Sequence, residues 1–196
     1  MATNGAIAAT SAAIAALLEG EAQRDSTLPR FTVSMYQAEQ LQKPADGVVV
    51  SVYLYRVNLS VTRRDRGLRT AVDGTYLASI PLDLHYLVTP WSANADVAHR
   101  LLGWVVSVLN DTPILPTHLL NLFPDQRPVF GDHEQVELVW EPLSLQDLYD
   151  VWQVASQRAA PSASYVARSV VIDSQVPVDE GGLLRSREFL YAGGPT

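Results

Sequence analysis

The sequence contains no cysteine among its 196 residues. Disulfide bonds, thiolate metal sites and a cysteine nucleophile are therefore excluded. Nothing in the composition connects the chain to an oxidising compartment, so we expect synthesis in the cytoplasm.

Long apolar runs are missing as well. A membrane-spanning helix needs about 20 predominantly apolar residues in succession, and no stretch of this sequence approaches that length. The opening segment has no basic residues before its small and apolar part, and Glu19 and Glu21 follow that part directly. We expect neither a secretory signal nor direct insertion into a membrane.

Positive charge is scarce, since 14 basic residues stand against 21 acidic ones and give a formal net charge of -7. A general nucleic-acid partner is not expected, because neutralising phosphates requires a basic face. Hydrophobic residues make up 47% of the sequence and charged residues 18%, as in an ordinary folded domain. The length fits one domain.

Signatures of catalysis and cofactor binding are absent from the sequence. It has no Gly-x-Ser-x-Gly elbow and no glycine-rich phosphate loop. His85, His99, His118 and His133 are scattered, without the spacing of metal ligands. We therefore expect no cofactor, no metal and no enzymatic activity.

Asp83 and His85 are the nearest approach to a catalytic pair. They lie two positions apart on a predicted strand, so their side chains share one face. A small hydrolase is one alternative, although it requires a third polar group converging on the pair. We favour a hydrogen-bonded structural pair that fixes the entry into the following helix.

The hydrophobic periodicity predicts a single compact α+β domain. Its sheet is mixed or antiparallel, with about five strands packed against about three helices. The first predicted helix ends near Arg24. The second begins at Ser92 or Asn94, and the third begins at Ser144. The first predicted strand starts at residue 30. The other four occupy residues 48–61, 79–89, 136–140 and 165–172. Residues 63–73 and 113–128 are predicted loops.

The composition changes near the end of the sequence, where Val-Pro and Gly-Gly pairs follow Asp173. We expect the domain to cover residues 1–173 and a flexible C-terminal arm to cover residues 174–196. The apolar anchors of this arm are Leu183, Leu184, Phe189 and Leu190.

Two groups of residues are candidate interface positions. Trp91 and Trp104 lie on or near the middle helix and are candidate subunit anchors, whereas Trp140 and Trp152 have the spacing of core positions. A basic cluster fits either a solvated loop or contact with an acidic protein surface. This cluster consists of Arg63, Arg64, Arg66 and Arg69.

Several segments, in order, resemble a known family. In chain order, the first of these segments is VVVSVYLYRVNLSVTRR and the second is PLDLHYLVTPW. After a short turn come HRLLGWVVSVLNDTPILP and, further on, VELVWEPLSLQDLYDVWQVASQRAAPSASYVARSVVID. The set resembles the tube-terminator (cap) proteins of extracellular contractile injection systems, across roughly residues 6–173. The residues that carry the resemblance include Leu54, Tyr55, Asp83, His85, Tyr86, Leu102 and Gly103.

This resemblance implies a structural protein that is similar to phage tail terminators. It implies a homohexameric ring on the last ring of the inner tube, which contacts the last layer of sheath and ends polymerisation. The implied partners are other copies of the chain, the inner tube protein and the sheath protein, assembled into one particle. The alternative is another ring or tail-completion component of a contractile particle or phage tail.

On this interpretation each candidate surface has an expected role. The cluster from Arg63 to Arg69 contacts acidic tube or sheath surfaces, and the segment from Leu183 to Leu190 adds to a neighbour by β-augmentation. Subunits in such a ring meet through unlike surfaces at a rotation that closes.

Overall fold

A computed structural model describes residues 4–43, 46–60, 68–70, 76–122, 128–131, 134–154 and 159–177. These residues form five helices and seven strands. The helices are α1 (Ala6–Arg24), α2 (Ala38–Gln42), α3 (Ala95–Asp111), α4 (Thr117–Leu120) and α5 (Leu145–Val154). The strands are β1 (Thr32–Tyr36), β2 (Val49–Leu59), β3 (Leu68–Thr70), β4 (Tyr76–Trp91), β5 (Ile114–Leu115), β6 (Val136–Trp140) and β7 (Ala163–Pro177).

The strands of the described residues form one mixed sheet in the order β1-β2-β4-β7-β6-β5, with β3 paired to β4. β1 runs parallel to β2, while the remaining pairs are antiparallel. The predicted α+β class and mixed sheet are confirmed. β4 and β7 form the centre of the sheet and share its longest pairing, from Leu77↔Pro177 to Val88↔Ala163.

The sheet is covered on both faces, as the doubly apolar run of β2 predicts. On the first face, Val50, Leu84 and Tyr86 are buried beneath α1 and α3. On the second face, Leu87 packs with Leu41 of α2 and Trp152 of α5. Full burial of each large apolar side chain contributes about 1.5–3 kcal/mol.

Two helix starts agree with the sequence. Asn94 caps α3, and its side chain accepts a hydrogen bond from the backbone N–H of Asp96 at 2.9 Å. Ser144 caps α5 in the same way, since its hydroxyl accepts from the N–H of Asp147 at 3.1 Å. Each bond satisfies a donor that the first turn of a helix leaves unpaired.

The structure also has short elements where the sequence predicts loops. β3 lies within the predicted loop 63–73, and β5 and α4 lie within residues 113–128. Elements of two to four residues are too short to show a period, and Pro113 and Pro116 flank β5. The counts of about five strands and about three helices are therefore low.

The last strand is longer than the sequence predicts. β7 continues to Pro177 because its far end pairs with the beginning of β4. The predicted domain end at Asp173 thus lies inside this strand. The predicted arm beyond it, residues 178–196, lies outside the described residues.

Trp140 corrects another expectation. It shares a strand face with buried Val136 and Leu138, yet it is 45% exposed at the end of β6. One side of its indole packs edge-on against Tyr165, with ring centroids 5.3 Å apart. Trp152 is buried, as predicted.

No helix in the described part of the chain has both the length and the apolar character needed to cross a membrane.

Candidate interaction surfaces

A polar cluster around His85 lies on the second face of the sheet. The His85 side chain is 7% exposed, and its Nδ1 lies 2.6 Å from Oε2 of Glu141, just past β6. Asn58 Nδ2 lies 3.3 Å from the other ring nitrogen, Nε2. These partners fit a ring that donates from Nδ1 to the carboxylate and accepts at Nε2 from the amide.

An irregularity in β2 brings two more side chains to this cluster. The pairing of β2 with β4 shifts between Leu54 and Arg56, so Tyr55 is the extra residue of a bulge. The Tyr55 ring lies 6.0 Å from the His85 ring, and the Arg56 guanidinium lies 5.7 Å from the centre of the Tyr55 ring. Arg56 also forms an ion pair with Glu141 at 3.6 Å.

The cluster differs from the predicted pair of Asp83 and His85. His85 is held by Glu141 and Asn58, while buried Asp83 has a carboxylate oxygen, Oδ1, without a hydrogen-bond partner. The sequence could not single out Glu141, since it lies 56 residues from His85. That the pair fixes the entry into α3 stays a prediction.

Polar groups converge on His85, but none of those described is the nucleophile that a hydrolase requires. Among the described residues, no serine or threonine hydroxyl forms a hydrogen bond with His85. The nearby Ser164 hydroxyl lies 3.4 Å from the hydroxyl of Tyr55 instead, and burial raises the pKa of Tyr55. The geometry is that of a fixed link between β2, β4 and the end of β6.

Tyr86 connects the sheet to α1. Its side chain is fully buried, and its hydroxyl lies 2.9 Å from Oγ of Ser11. Ser11 donates its own proton to the carbonyl of Ile7, so Tyr86 donates to Ser11. Burial raises the pKa of Tyr86, and the bond to Ser11 opposes this shift.

Of the other motif residues, two lie at packing positions and one does not. Leu54 and Leu102 are partly buried against the core of the first face. Gly103 is exposed, and a Cβ at this position would have no atom within 4 Å. Leu54 and Leu102 therefore contribute to the packing of helices on the sheet, and Gly103 does not.

Trp91 and Trp104 are both half-buried within the chain. Trp91 packs edge-on against Trp152 at 5.8 Å, and its indole N–H donates to the hydroxyl of Ser51. Trp104 packs edge-on against Phe31 at 5.3 Å. Their role as subunit anchors stays a prediction.

The charged and apolar anchors fall largely outside the described residues. This holds for Arg63, Arg64 and Arg66 and for the four anchors Leu183, Leu184, Phe189 and Leu190. Arg69 lies in the short strand β3, opposite Leu77.

Two open grooves, which the sequence did not reveal, lie along β1 at the edge of the sheet. A groove of about 830 Å³ lies between the second half of α1 and residues 30–33. A second groove, of about 710 Å³, lies between the first half of α1 and residues 35–40. The first groove is lined by Glu19, Ala22, Gln23, Asp25, Ser26, Leu28, Pro29, Arg30, Phe31, Thr32, Val33, Asp46 and Val48.

Histidine and carboxylate groups do not gather into a metal site. Across the described ranges, no group of three or more such side chains is placed to hold a metal ion.

The fold and these surfaces define an α+β domain with a mixed sheet, in which β1 pairs on one side only among the described residues. The chain belongs to the Pvc16 N-terminal domain family, whose model matches residues 9–186. The resemblance inferred from the sequence is thereby confirmed. No curated protein sequence matches the chain.

Two solved structures are similar to the chain. One is the sheath/tube terminator of the extracellular contractile injection system PVC in its extended state, with 18% identity and a TM-score of 0.63. This likeness covers 100% of the present chain and 66% of the terminator. The other is the tube-terminating cap of the anti-feeding prophage, with 17% identity, a TM-score of 0.48 and coverage of 81% and 55%.

The chain therefore spans about two thirds of the first of these proteins and about half of the second. The first likeness establishes a common fold along the whole of the present chain. The first protein is named as a sheath/tube terminator and the second as a tube-terminating cap.

Proposed function

We propose that this chain caps the inner tube of a contractile injection particle as a tube terminator. The observation that carries the proposal is the family match over residues 9–186, with a fold similar to a sheath/tube terminator along the whole chain. The polar cluster at His85 supports a structural role, because it links strands and lacks a nucleophile among the described residues.

The proposed form of the cap is a homohexameric ring on the last ring of the inner tube, in contact with the last layer of sheath. A ring of identical subunits needs two unlike surfaces on each copy. Among the described residues β1 pairs only with β2, so its other side is our candidate for one such surface. Six copies together also multiply weak contacts to the tube, so each single contact can remain modest.

The proposed partners are further copies of the chain, the inner tube protein and the sheath protein. An acidic protein, at a net charge of -7, suits protein surfaces better than nucleic acid. We place its assembly in the bacterial cytoplasm, before the finished particle acts.

A polymerisation assay with the cognate inner tube protein tests this proposal. Added before assembly starts, the chain should shorten the tubes in proportion to its molar ratio and be found at one tube end. Labelling along the tube walls, or unchanged tube lengths, would show that the chain is not a terminator. Labelling at the baseplate end would favour another ring component.

Tyr86→Ala offers a matched control for this assay. It removes the buried ring that supports α1, so we expect it to abolish capping through loss of the fold. Gln146→Ala alters an exposed position on α5 and should cap tubes as the unaltered chain does.

A further inference from the structure

A cleft on the second face of the sheet lies between β2 and α5, and we call it the α5 cleft. Its volume is about 270 Å³. Pockets for small molecules usually measure about 300–1,000 Å³, so this cleft suits one long side chain of another protein. The α5 cleft is lined by Tyr53, Tyr55, Arg56, Leu143, Asp147, Asp150 and Val151.

The α5 cleft combines aromatic rings with negative charge. Tyr53 and Tyr55 are half-buried on the strand side of the cleft. Asp147 and Asp150 are exposed on the helix side, three residues apart and therefore on one face of α5. In the part of the chain that the structure describes, neither carboxylate forms an ion pair.

Hydrogen bonds within α5 orient the two carboxylates. Asp147 Oδ2 accepts from the hydroxyl of Ser144 at 2.7 Å, and Asp150 Oδ1 accepts from the side-chain amide of Gln146 at 2.9 Å. Each bond uses one carboxylate oxygen and leaves the second. Carboxylates beside aromatic rings bind a cation through charge-assisted hydrogen bonds and through attraction to the ring faces. The α5 cleft should therefore receive a lysine or arginine side chain.

The cations of the chain differ in whether they already have a carboxylate partner. Arg24 forms an ion pair with Glu21, and Arg56, which lines the α5 cleft, forms one with Glu141. Arg100 is exposed on α3 and forms no ion pair with any described residue. Its charge is therefore available to a neighbouring molecule.

The helix surface beside Arg100 permits close approach. Gly103 and Ser107 follow at intervals of three and four residues, on the same exposed side of α3. A Cβ at Gly103 would meet no atom within 4 Å, so packing within the chain does not require a glycine there. Glycine in the middle of a helix costs conformational entropy relative to alanine. A second chain packed closely on this side of α3 would account for the residue.

Arg100 cannot enter the α5 cleft of its own chain. α3 packs on the first face of the sheet and α5 packs on the second. Tyr86 and Leu87 are consecutive residues of β4 that pack on the first and the second face respectively, as the alternation of a strand requires. The sheet therefore separates Arg100 from the cleft, so a contact between them joins two copies.

We propose that the exposed side of α3 in one copy docks on the α5 cleft of the next copy, with Arg100 beside Asp147 and Asp150. This inference rests on the proposed ring and names a contact between its subunits. The matching cation belongs to the chain itself, so a second copy supplies the occupant. The two surfaces are unlike and lie on opposite faces of the sheet, as a ring of identical subunits requires.

An exchange of charges tests the contact. Arg100→Asp and Asp150→Arg should each raise the Kd of self-association about tenfold, because each places like charges together. The variant with both changes restores an opposite pair and should return to within about threefold of the unaltered chain. Asp147 stays unaltered because it interacts with the cap of α5. Sedimentation velocity over a concentration series gives the Kd.

Arg24→Asp is the matched control for Arg100→Asp. The Arg24 side chain is 76% exposed on α1, and its replacement changes the net charge by the same amount. This control should leave the Kd unchanged. An equal loss with Arg24→Asp, or a double variant that associates no better than the weaker single variant, would overturn the inference. So would an Asp150→Arg variant that weakens only tube or sheath binding, since the cleft would then hold a cation of that protein.

Gly103→Gln provides a second test. Glutamine is a good helix former and should not destabilise α3, but its side chain fills the space that the second copy needs. We expect the Kd of self-association to rise about tenfold. The control is Gly20→Gln in α1, where a Cβ likewise meets no atom within 4 Å, and it should leave the Kd unchanged. Equal self-association of both folded variants would show that no chain packs closely on α3.

Tube binding, measured on the same samples, separates this inference from the proposed function. An Arg100→Asp variant that still forms rings and caps tubes refutes the contact and leaves the proposed function intact. Copies that associate through the exchanged charges but never shorten tubes refute the function instead. If the unaltered chain associates only on tubes, its occupancy of tube ends replaces the Kd in each comparison.

Discussion

The two edges of the sheet differ in how they meet solvent. β1 presents five uncharged residues, whereas β5 at the opposite edge is two residues long. Pro113 and Pro116 flank β5, and neither has an N–H with which to bind another strand. In the part of the chain that the structure describes, the β5 edge is therefore protected and the outer side of β1 is unpaired.

Because the two edges differ, they can play different roles when copies of the domain assemble. A sheet with two open edges can stack without limit, and a sheet with none needs other surfaces to assemble. With one open edge, each copy can accept one strand and must donate from elsewhere. A closed ring of identical subunits has the same requirement.

The largest expected effect separates the inner side of β1 from its outer side. Ser34→Pro removes an N–H that points to β2, so we expect the free energy of unfolding to fall by about 2–3 kcal/mol. Met35→Pro, one residue away, should change it by less than about 1 kcal/mol. Urea denaturation measures both. Equal losses would mean that the outer side of β1 is not free.

The next effect concerns α1, which forms the wall of both β1 grooves. Tyr86→Phe removes the bond to Ser11 and leaves the Ser11 hydroxyl its bond to Ile7, so we expect a loss of about 1 kcal/mol in unfolding free energy. Thermal or urea unfolding gives the value. Ser11→Ala should cost more than Tyr86→Phe, since it leaves the buried Tyr86 hydroxyl without its partner.

If each hydroxyl stabilises the fold only through its bond to the other, the variant with both Tyr86→Phe and Ser11→Ala should lose no more unfolding free energy than Ser11→Ala alone. A double-mutant cycle measures this coupling. Additive losses would mean that the 2.9 Å contact contributes nothing.

A similar effect is expected at the other half of the sheet. Glu141→Gln keeps the shape of the side chain but removes the charge that pairs with Arg56 and His85, and we expect a loss of about 1 kcal/mol. Arg56 is 45% exposed, so solvent screening keeps the value low. The control is Glu137→Gln on an exposed position of β6, which should have almost no effect.

Glu141→Gln also tests whether the polar cluster around His85 takes part in an interface with another protein. We expect tube capping by this variant to remain normal, because the pairing of β1 with β2 ends at Tyr53, before the cluster begins at Tyr55. Loss of capping with an unchanged fold, measured by circular dichroism, would place the cluster in an interface.

The smallest effect on stability should accompany a clear effect on assembly. Met35→Lys and Ile114→Lys each add a charge to an exposed edge position, and each should change the unfolding free energy by no more than about 0.5 kcal/mol. Only Met35→Lys should weaken self-association, by about tenfold, because a lysine on an open edge prevents pairing. Light scattering over a concentration series distinguishes them. Equal behaviour would remove the contrast between the edges.

The sequence predicts the long elements well and the short ones poorly. Alternation and helical spacing over five or more residues identify β1, β6, α1, α3 and α5, because each has one face fixed by a core. β2 is identified by a run that is apolar on both faces. β3, β5 and α4 show no period at their length, and they depend on pairing or packing with distant segments. The ends of β4 and β7 were missed for the same reason, since these strands extend each other.

The candidate sites were less predictable than the fold. Asp83 and His85 were identified by spacing alone, yet His85 pairs with Glu141, which sequence separation conceals. The β1 grooves are formed between α1 and an edge strand, and the sequence does not show that β1 is an edge. Family resemblance, carried by residues such as Leu54 and Tyr86, identified the class without any site.

Cryo-electron microscopy of tube ends, with the purified chain added to preassembled cognate tubes, tests the central claim most directly. We expect a single six-fold ring of this chain at one end of each tube, with β1 of each copy facing its neighbour. Tubes whose ends carry no added density, or carry it without six-fold symmetry, would contradict the proposal that this chain is a hexameric tube terminator.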